Sequence, residues 1–158
     1  MVSESYNPNM QLTRAADYAV RVMIHMAGLP PGTRASRSEL AEAVQCPEQF
    51  LSKVLQSLTR SGLVVSHRGN TGGFELPGEH QAATLLEVVE AIEGRIRLNV
   101  CLISEHSCPR QAWCPGHDVW AEAQASLVAV LQKATINELA ERAAARKAAG
   151  LVIPAVLN

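Results

Sequence analysis

Residues 47–76 read PEQFLSKVLQSLTRSGLVVSHRGNTGGFEL, and this stretch carries the strongest structural signals in the chain. It predicts a helix that begins at Pro47, which suits the first helical position, and that stops at Gly62, which suits the residue just beyond a helix end. Apolar residues recur at helical spacing and predict the buried stripe; they are Phe50, Leu51, Val54, Leu55 and Leu58. Two short β-strands, 63–67 and 74–76, are expected to follow as a hairpin with a turn-rich tip.

Two further helices are expected before this stretch. Thr13 is a candidate N-cap for a helix over 15–27, and Gly28 follows its predicted end. The pattern from Ser36 to Glu39 is that of a capping box, and it predicts the start of a second helix. The expected apolar face of this helix consists of Leu40, Ala43 and Val44. Helix, tight turn, helix and hairpin are together the parts of a winged helix-turn-helix.

The composition is that of one domain, or of a small domain with an assembly element, in 158 residues. Hydrophobic residues make up 47% of the chain and charged residues 18%, so some apolar surface is expected to pack against a partner. The net charge is only −1, but residues 49–74 contain no Asp or Glu while they contain Lys53, Arg60 and Arg68. A local basic face of this kind is what contact with phosphates requires.

The polar side of the third helix and the tip of the hairpin are therefore the predicted DNA-contacting surface. Side chains near the start of the helix are expected to reach base edges, and Arg68 is expected to enter a minor groove or hold a phosphate. Glycines at the tip let the backbone approach a surface closely. The residues predicted to contact DNA are Gln49, Ser52, Lys53, Arg68, Gly69 and Gly72. The alternative is a solvated helix face on a scaffold that never touches DNA.

Three cysteines and a histidine lie close together in the second half of the chain. Cys101, Cys108 and Cys114 have the spacing C-x6-C-x5-C, and His117 follows three residues later. Thiolates are soft ligands that hold zinc or iron–sulfur clusters. Structural zinc sites usually pair cysteines as C-x2-4-C, which is absent here, so the wider spacing favours a cluster over a single ion. Three ordinary buried thiols are the alternative, and Cys46 is itself expected to be a small core residue.

The rest of the chain is predicted to be helical. A short helix is expected from Thr84 to 93, a loop over 98–117, a long helix over 118–133 and a final helix over 136–147. The long helix has a wide apolar stripe, which is typical of a helix that packs against a partner. The stripe consists of Trp120, Ala123, Leu127, Val130, Leu131 and Ala134.

The predicted fold class is mainly α with a small β-hairpin wing: a winged helix-turn-helix plus a long dimerisation helix. The expected organisation is a flexible leader at 1–10, a DNA-binding domain at 11–80, a linker helix and cysteine loop at 81–117, a dimerisation helix and final helix at 118–148, and a tail at 149–158. The polar N-terminus and the absence of a long apolar run predict a cytoplasmic protein without a membrane partner. The absence of C-x-x-C and of a visible nucleophile–base pair speaks against an enzyme such as a thiol oxidoreductase.

Taken together, these residues resemble the iron–sulfur winged-helix transcriptional regulators typified by IscR and NsrR. The resemblance covers about residues 10–147 and is strongest in MQLTRAADYAVRVMIHMA, FLSKVLQSLTRSGLV, SHRGNTGGFEL and the three cysteines. It implies a homodimer crossed through its long helices and an iron–sulfur cluster that tunes operator affinity in response to iron–sulfur status, redox state or nitric oxide. A two-fold dimer implies a pseudo-palindromic double-stranded operator.

The fourth ligand of such a cluster has two candidates. The segment CPGHDVW, residues 114–120, resembles the IscR pattern, in which the matching histidine binds a two-iron cluster. The segment LTRAADYA resembles the nitric-oxide sensor pattern, in which the aspartate matching Asp17, from the other subunit, binds a four-iron cluster. His117 and a [2Fe–2S] cluster are favoured because the imidazole suits a soft metal centre. A [4Fe–4S] cluster, a cluster-free thiol switch and a zinc-stabilised winged helix are the alternatives.

Overall fold

The computed structural model describes residues 11–69, 72–78 and 82–151, and within these ranges the chain forms six α-helices and one antiparallel hairpin. The helices are α1 (Arg14–Ala27), α2 (Arg37–Val44), α3 (Glu48–Arg60), α4 (Leu85–Glu93), α5 (Pro115–Lys133) and α6 (Ile136–Ala148). The hairpin pairs β1 (Val65–His67) with β2 (Gly73–Glu75), and Ser66 lies opposite Phe74. The predicted fold class is confirmed. The expected leader and residues 152–158 of the expected tail lie outside the described residues.

Side-chain caps begin α1 and α2 at the predicted residues, whereas α5 begins at Pro115 rather than at residue 118 and has no side-chain cap. Oγ1 of Thr13 accepts a hydrogen bond from the backbone N–H of Ala16 at 3.3 Å, at the start of α1. Ser36 opens α2 with the expected capping box, because its backbone N–H donates to Oε2 of Glu39 at 2.7 Å. Helix α3 differs by one residue, since Pro47 is the cap residue rather than the first helical residue. A cap here has no side-chain hydrogen bond because proline offers no acceptor.

Helices α1, α2, α3, α4 and α6 contribute to one core. Its largest fully buried side chains are Met23, Leu40, Leu51, Leu55, Leu58, Ile136, Val22, Val54, Val64, Val88 and Val89. Two members of the predicted apolar faces do not belong to it. Ala43 is exposed and Ala41 is buried instead, because the core side of α2 is centred between Leu40, Ala41 and Val44. Phe50 remains 38% exposed at the edge of the α3 stripe, where its ring packs edge-on against Tyr18 at 5.7 Å.

The hairpin is attached to the start of α2 by a backbone bridge. The N–H of Ala35 donates to the carbonyl oxygen of Phe74 at 3.0 Å, and the N–H of Phe74 donates back to Ala35 at 2.8 Å. Gly73 adopts φ +156°, and a Cβ at this position would lie 2.8 Å from the Ala35 carbonyl oxygen. Only glycine therefore allows this close approach, which fixes the wing to the helix pair.

Two helices of the second half of the chain, α4 and α6, pack against α1. Helix α4 also packs against α3. Oε1 of Glu93, at the end of α4, accepts hydrogen bonds from the backbone N–H of Thr13 at 2.8 Å and from its hydroxyl at 2.5 Å. Burial lowers the pKa of His25 on α1, and the positive charge of Lys147 on α6 lowers this pKa further.

Helix α5 is packed differently from the others. It contacts α4 and a short 3₁₀ turn at Val100–Leu102, but none of its own residues is buried. None of the helices in the described ranges combines the length and apolar character that a membrane crossing requires.

Candidate functional site

The three clustered cysteines and His117 line one pocket of about 230 Å³ at the start of α5. The structure thus brings together the four side chains that the sequence predicts as ligands. Cys101, Cys108 and Cys114 are free thiols of intermediate exposure, and His117 is also partly buried. The other residues that line the pocket are Asn99, Val100, Ser107, Pro109, Gln111 and Trp120.

The backbone of the cysteine loop consists of short turns, which lets its cysteines face a common space. Oδ1 of Asn99 accepts from the N–H of Val100 at 2.7 Å and caps the first 3₁₀ turn. A second 3₁₀ turn, Gln111–Trp113, leads into α5. Pro115 occupies the first turn of that helix, where a missing N–H has no consequence for the helical hydrogen bonds.

Side chains from two helices hold the beginning of the loop. The N–H of Ile96 donates to Oε1 of Glu90 on α4 at 3.3 Å. The N–H of Leu98 donates to Oε1 of Gln124 on α5 at 3.1 Å. The segment that enters the pocket is therefore hydrogen-bonded to both helices that flank it.

The donor set of the pocket fits a soft metal centre. Nδ1 of His117 is buried and has no hydrogen-bond partner among the described residues. A buried polar atom without a partner is rare in folded proteins and calls for an explanation such as a missing ion. In the described ranges, no three His, Cys, Asp or Glu side chains converge closely enough to enclose a single metal ion. The pocket thus presents soft donors around a shared space rather than at one point.

Cys46 lies apart from this pocket, in the core of the winged head, the part of the chain that consists of α1, α2, α3 and the hairpin. It is 7% exposed, and its thiol donates to the Pro47 carbonyl oxygen at 3.5 Å. Burial raises the pKa of the Cys46 thiol, an effect opposed by the positive charge of Arg21. The expectation of a small core residue is confirmed.

Asp17 lies on the first turn of α1, with about half of its side chain exposed. Its carboxylate forms an ion pair with Arg21 one turn along the helix, at 2.8 Å. Asp17 is not among the residues that line the cysteine pocket of its own chain.

The candidate DNA-contacting face lies along the exposed side of α3. Gln49 and Lys53 are exposed, and Ser52 is partly exposed, with its hydroxyl donating to the Glu48 carbonyl oxygen at 3.0 Å. Residues at spacings of four and three share one face of a helix, so this face continues through Gln56. Oε1 of Glu48 lies 2.7 Å from Nε of Arg37 on α2, which neutralises the acidic residue at the start of α3.

The wing presents Arg68 and Gly69 to solvent. Gly69 adopts φ +104°, a conformation that favours glycine. A Cβ at Gly72 would lie 2.5 Å from the His67 carbonyl oxygen and 2.8 Å from that of Gly69. Gly72 is therefore required by the fold of the hairpin itself, whatever it contacts. Residues 70 and 71 of the tip lie outside the described residues.

Glu75 anchors the base of the wing through its charge. Its Oε2 lies 3.5 Å from Nε of Arg34, just before α2. The same oxygen lies 2.8 Å from Nε2 of His67, without the geometry of a hydrogen bond. Arg34 and Arg37 lie outside residues 49–74, and each is paired with a glutamate, Arg34 at the base of the wing and Arg37 at the start of α3.

Sequence patterns also missed two features of the cysteine loop. Trp113 is 70% exposed, and the guanidinium of Arg110 lies 5.9 Å from its ring centroid. Gln111 lines the pocket and lies within 3.4 Å of Nε2 of His117. A glutamine three residues before a cysteine belongs to no ligand motif, so only the folded loop reveals this contact.

Comparison with known proteins identifies the class of the chain. The model of the Rrf2 family, described as iron-dependent transcriptional regulators, matches residues 12–142. Protein aau3 of Rhizobium meliloti is 37% identical over 132 residues, which cover 82% of this chain and 84% of that protein. A Mycobacterium tuberculosis (strain H37Rv) protein named as an HTH-type transcriptional regulator is 34% identical over 135 residues, covering 83% and 81%.

Solved structures share the fold. CymR, the global cysteine regulator of B. subtilis, superposes with a TM-score of 0.67 at 24% identity, covering 85% of this chain and 98% of that chain. T. potens IscR superposes with a TM-score of 0.65 at 22% identity, covering 85% and 89%. The chain belongs to the Rrf2 family of transcriptional regulators, and it is accordingly a DNA-binding regulator rather than an enzyme.

Proposed function

We propose that this regulator holds an iron–sulfur cluster, with [2Fe–2S] favoured, and that the cluster sets its affinity for operator DNA. The proposed ligands are Cys101, Cys108, Cys114 and His117. The observation that carries the proposal is that these four side chains line one pocket, although the first and last are sixteen positions apart.

The spacing of the cysteines supports a cluster over a single zinc ion. Structural zinc sites usually pair their cysteines as C-x2-4-C, and the C-x6-C-x5-C spacing of Cys101, Cys108 and Cys114 contains no such pair. When bound, a [2Fe–2S] cluster supplies a redox-active centre, and a histidine ligand in place of a thiolate raises its potential.

Contacts between the loop and the head give the pocket a route to the DNA-reading helix. The segment that leads into the pocket is hydrogen-bonded to Glu90 on α4 through the N–H of Ile96 and to Gln124 on α5 through the N–H of Leu98. The end of α4 is hydrogen-bonded to the start of α1 through Glu93 and Thr13, and α4 also packs on α3. If binding of the cluster orders the loop, it would therefore shift the position of α4 and, through the contacts of α4 with α1 and α3, the position of the winged head.

In this proposal, the start of α3 contacts the bases through Gln49, Ser52 and Lys53. The wing contacts a phosphate or the minor groove through Arg68. Gly69 lies beside Arg68 on the exposed part of the wing, while Gly72 closes the turn.

A homodimer through α5 is also part of the proposal. Val119 and Val130 are 65% and 66% exposed, and Trp120 is 37% exposed, so an apolar surface remains uncovered by the described chain. Large apolar patches on soluble proteins mark sites of association. A second copy related by two-fold symmetry would cover both surfaces and present two heads to a pseudo-palindromic operator.

A cluster-free thiol switch is the second candidate. The observation that favours it is that three free thiols of intermediate exposure line the same pocket. Its chemistry would be the formation of a disulfide between two of these thiols when an oxidant accepts their two electrons.

Iron and acid-labile sulfide measured on anaerobically purified protein separate these candidates. We expect stoichiometric iron and sulfide in the wild type, loss of both in Cys108→Ala, and retention in Cys46→Ala, since Cys46 lies in the core. His117→Ala is expected to lose the cluster and Asp17→Ala to keep it. The reverse result would assign the fourth ligand to Asp17. Wild-type protein without iron and sulfide that still responds to oxidant would support the thiol switch.

A further inference from the structure

Gln111 connects the two halves of the cysteine loop through both ends of its side-chain amide. When the amide is assigned with its nitrogen toward the backbone carbonyl oxygens, this nitrogen donates to Glu105 at 3.0 Å and to Ser104 at 3.3 Å. The amide oxygen consequently faces Nε2 of His117 at 3.4 Å. These contacts hold the amide in this orientation, because the opposite orientation would set its oxygen against the carbonyl oxygens of Ser104 and Glu105.

This orientation determines which nitrogen of His117 carries the proton. An amide oxygen can only accept a hydrogen bond, so the hydrogen of the neutral imidazole must lie on Nε2. Nδ1 is then left with an unshared electron pair. That atom is buried and has no partner among the described residues. The protein thus gives one ring nitrogen a hydrogen-bond partner and leaves the other without one.

We propose that Gln111 is a positioning residue that holds His117 in its Nε2–H tautomer, so that Nδ1 is the ligating atom. This inference rests on the proposed function, because it specifies the atom through which His117 serves the cluster site. Histidine ligands of metals almost always donate their other N–H to an acceptor, which fixes both tautomer and ring orientation. Gln111 is the side chain of the described loop that meets this requirement.

The same amide links His117 to the turn between the first two cysteines. The N–H of Ser107 donates to the Ser104 carbonyl oxygen at 3.2 Å, and the hydroxyl oxygens of the two serines lie 2.7 Å apart. The Ser104 carbonyl oxygen therefore accepts from both Ser107 and Gln111. A change in the ring orientation of His117 would be passed through Gln111 to this turn, which is followed directly by Cys108.

Two spectroscopic measurements test the inference. In the apo protein labelled with 15N-histidine, two-dimensional NMR reports which nitrogen of His117 carries the proton, with His117→Gln used to assign the signal. We expect Nε2–H in the wild type. In the reduced holo protein, pulsed electron paramagnetic resonance with histidine labelled only at Nδ1 or only at Nε2 identifies the bound nitrogen. We expect the strong coupling at Nδ1.

Gln111→Met removes both amide functions at similar length, and Gln132→Met makes the same change at an exposed position of α5. Loss of an outer partner of a ligand typically weakens metal affinity by about 10- to 100-fold, and we expect Gln111→Met to weaken iron retention against a chelator by that factor. Gln132→Met is expected to match the wild type in retention and in tautomer. Far-ultraviolet circular dichroism of both variants controls for folding.

Each outcome bears on one proposal or on both. Strong coupling at Nε2, an Nδ1–H tautomer in the wild type, or unchanged iron retention in Gln111→Met would overturn the positioning role. A cluster that forms with no strongly coupled imidazole nitrogen would also overturn it, and would leave a cluster-dependent regulator standing. Wild-type protein that takes up no iron and sulfide on anaerobic reconstitution would overturn both.

Discussion

Helices α3 and α5 are both amphipathic, but they differ in what covers their apolar side chains. In α3, four of thirteen residues are buried, namely Leu51, Val54, Leu55 and Leu58. In α5, none of nineteen residues is buried, although the helix is longer and extends roughly 28 Å. The winged head therefore completes its core within one chain, whereas apolar side chains of α5 stay exposed in the described chain. In the proposed function, a second copy covers α5 and a cluster occupies the adjoining pocket.

The largest expected effect is on the folding of the head. Leu55 is fully buried, so Leu55→Ala is expected to lower the free energy of unfolding by about 2–5 kcal/mol. Its exposed neighbour provides the control, and Gln56→Ala is expected to change the free energy of unfolding by less than about 0.5 kcal/mol. Urea denaturation at one protein concentration measures both. Equal stabilities of the two variants would contradict the assignment of the core to α3.

The next effect concerns assembly through α5. Val130→Asp places a charge on the apolar stripe, and it is expected to raise the dimer dissociation constant by about 10- to 100-fold. Gln132→Asp introduces the same charge at an exposed position on another side of the helix and is expected to leave the dissociation constant within about threefold of the wild type. Sedimentation equilibrium measures both. A wild type that sediments as a monomer at micromolar concentration would refute dimerisation by α5.

A smaller effect is expected at the wing. Arg68→Ala is expected to weaken operator binding by about 1–3 kcal/mol if the side chain reads a groove, with a smaller effect on unrelated DNA. Arg142→Ala removes the same charge from α6 and is expected to leave operator affinity nearly unchanged. Fluorescence anisotropy with both DNAs at one salt concentration measures this. If Arg68→Ala lost equal affinity for operator and for unrelated DNA, Arg68 would contact only phosphates and would not read a groove.

Local signals in the sequence were enough to predict most of the fold. Capping residues such as Ser36 and Thr84 act on hydrogen bonds within their own turn, so their neighbours in sequence determine where a helix begins. Phe50 was assigned wrongly to the buried stripe because its exposure depends on where α3 passes Tyr18 of α1. That geometry is tertiary, and the spacing of apolar residues along one helix does not contain it.

The same distinction applies to the candidate site. The identity of the four pocket side chains followed from the chemistry of thiols and imidazole and from the family resemblance. The contact of Gln111 with His117 did not, because it depends on how three turns of an irregular loop fold upon one another. The need for glycine at Gly72 likewise comes from the His67 carbonyl oxygen across the hairpin, whereas the sequence suggested only an approach to DNA.

The most direct test of the account is a titration of operator DNA with holo and apo protein at one fixed salt concentration, because affinity for DNA depends steeply on salt. Cys108→Ala serves as a permanently apo reference, and Cys46→Ala serves as a cysteine variant that keeps the cluster. We expect holo wild type and holo Cys46→Ala to bind alike, and apo wild type and Cys108→Ala to differ from them by about 1–3 kcal/mol in the same direction. Equal operator affinities for holo and apo protein would contradict a regulatory role for the pocket.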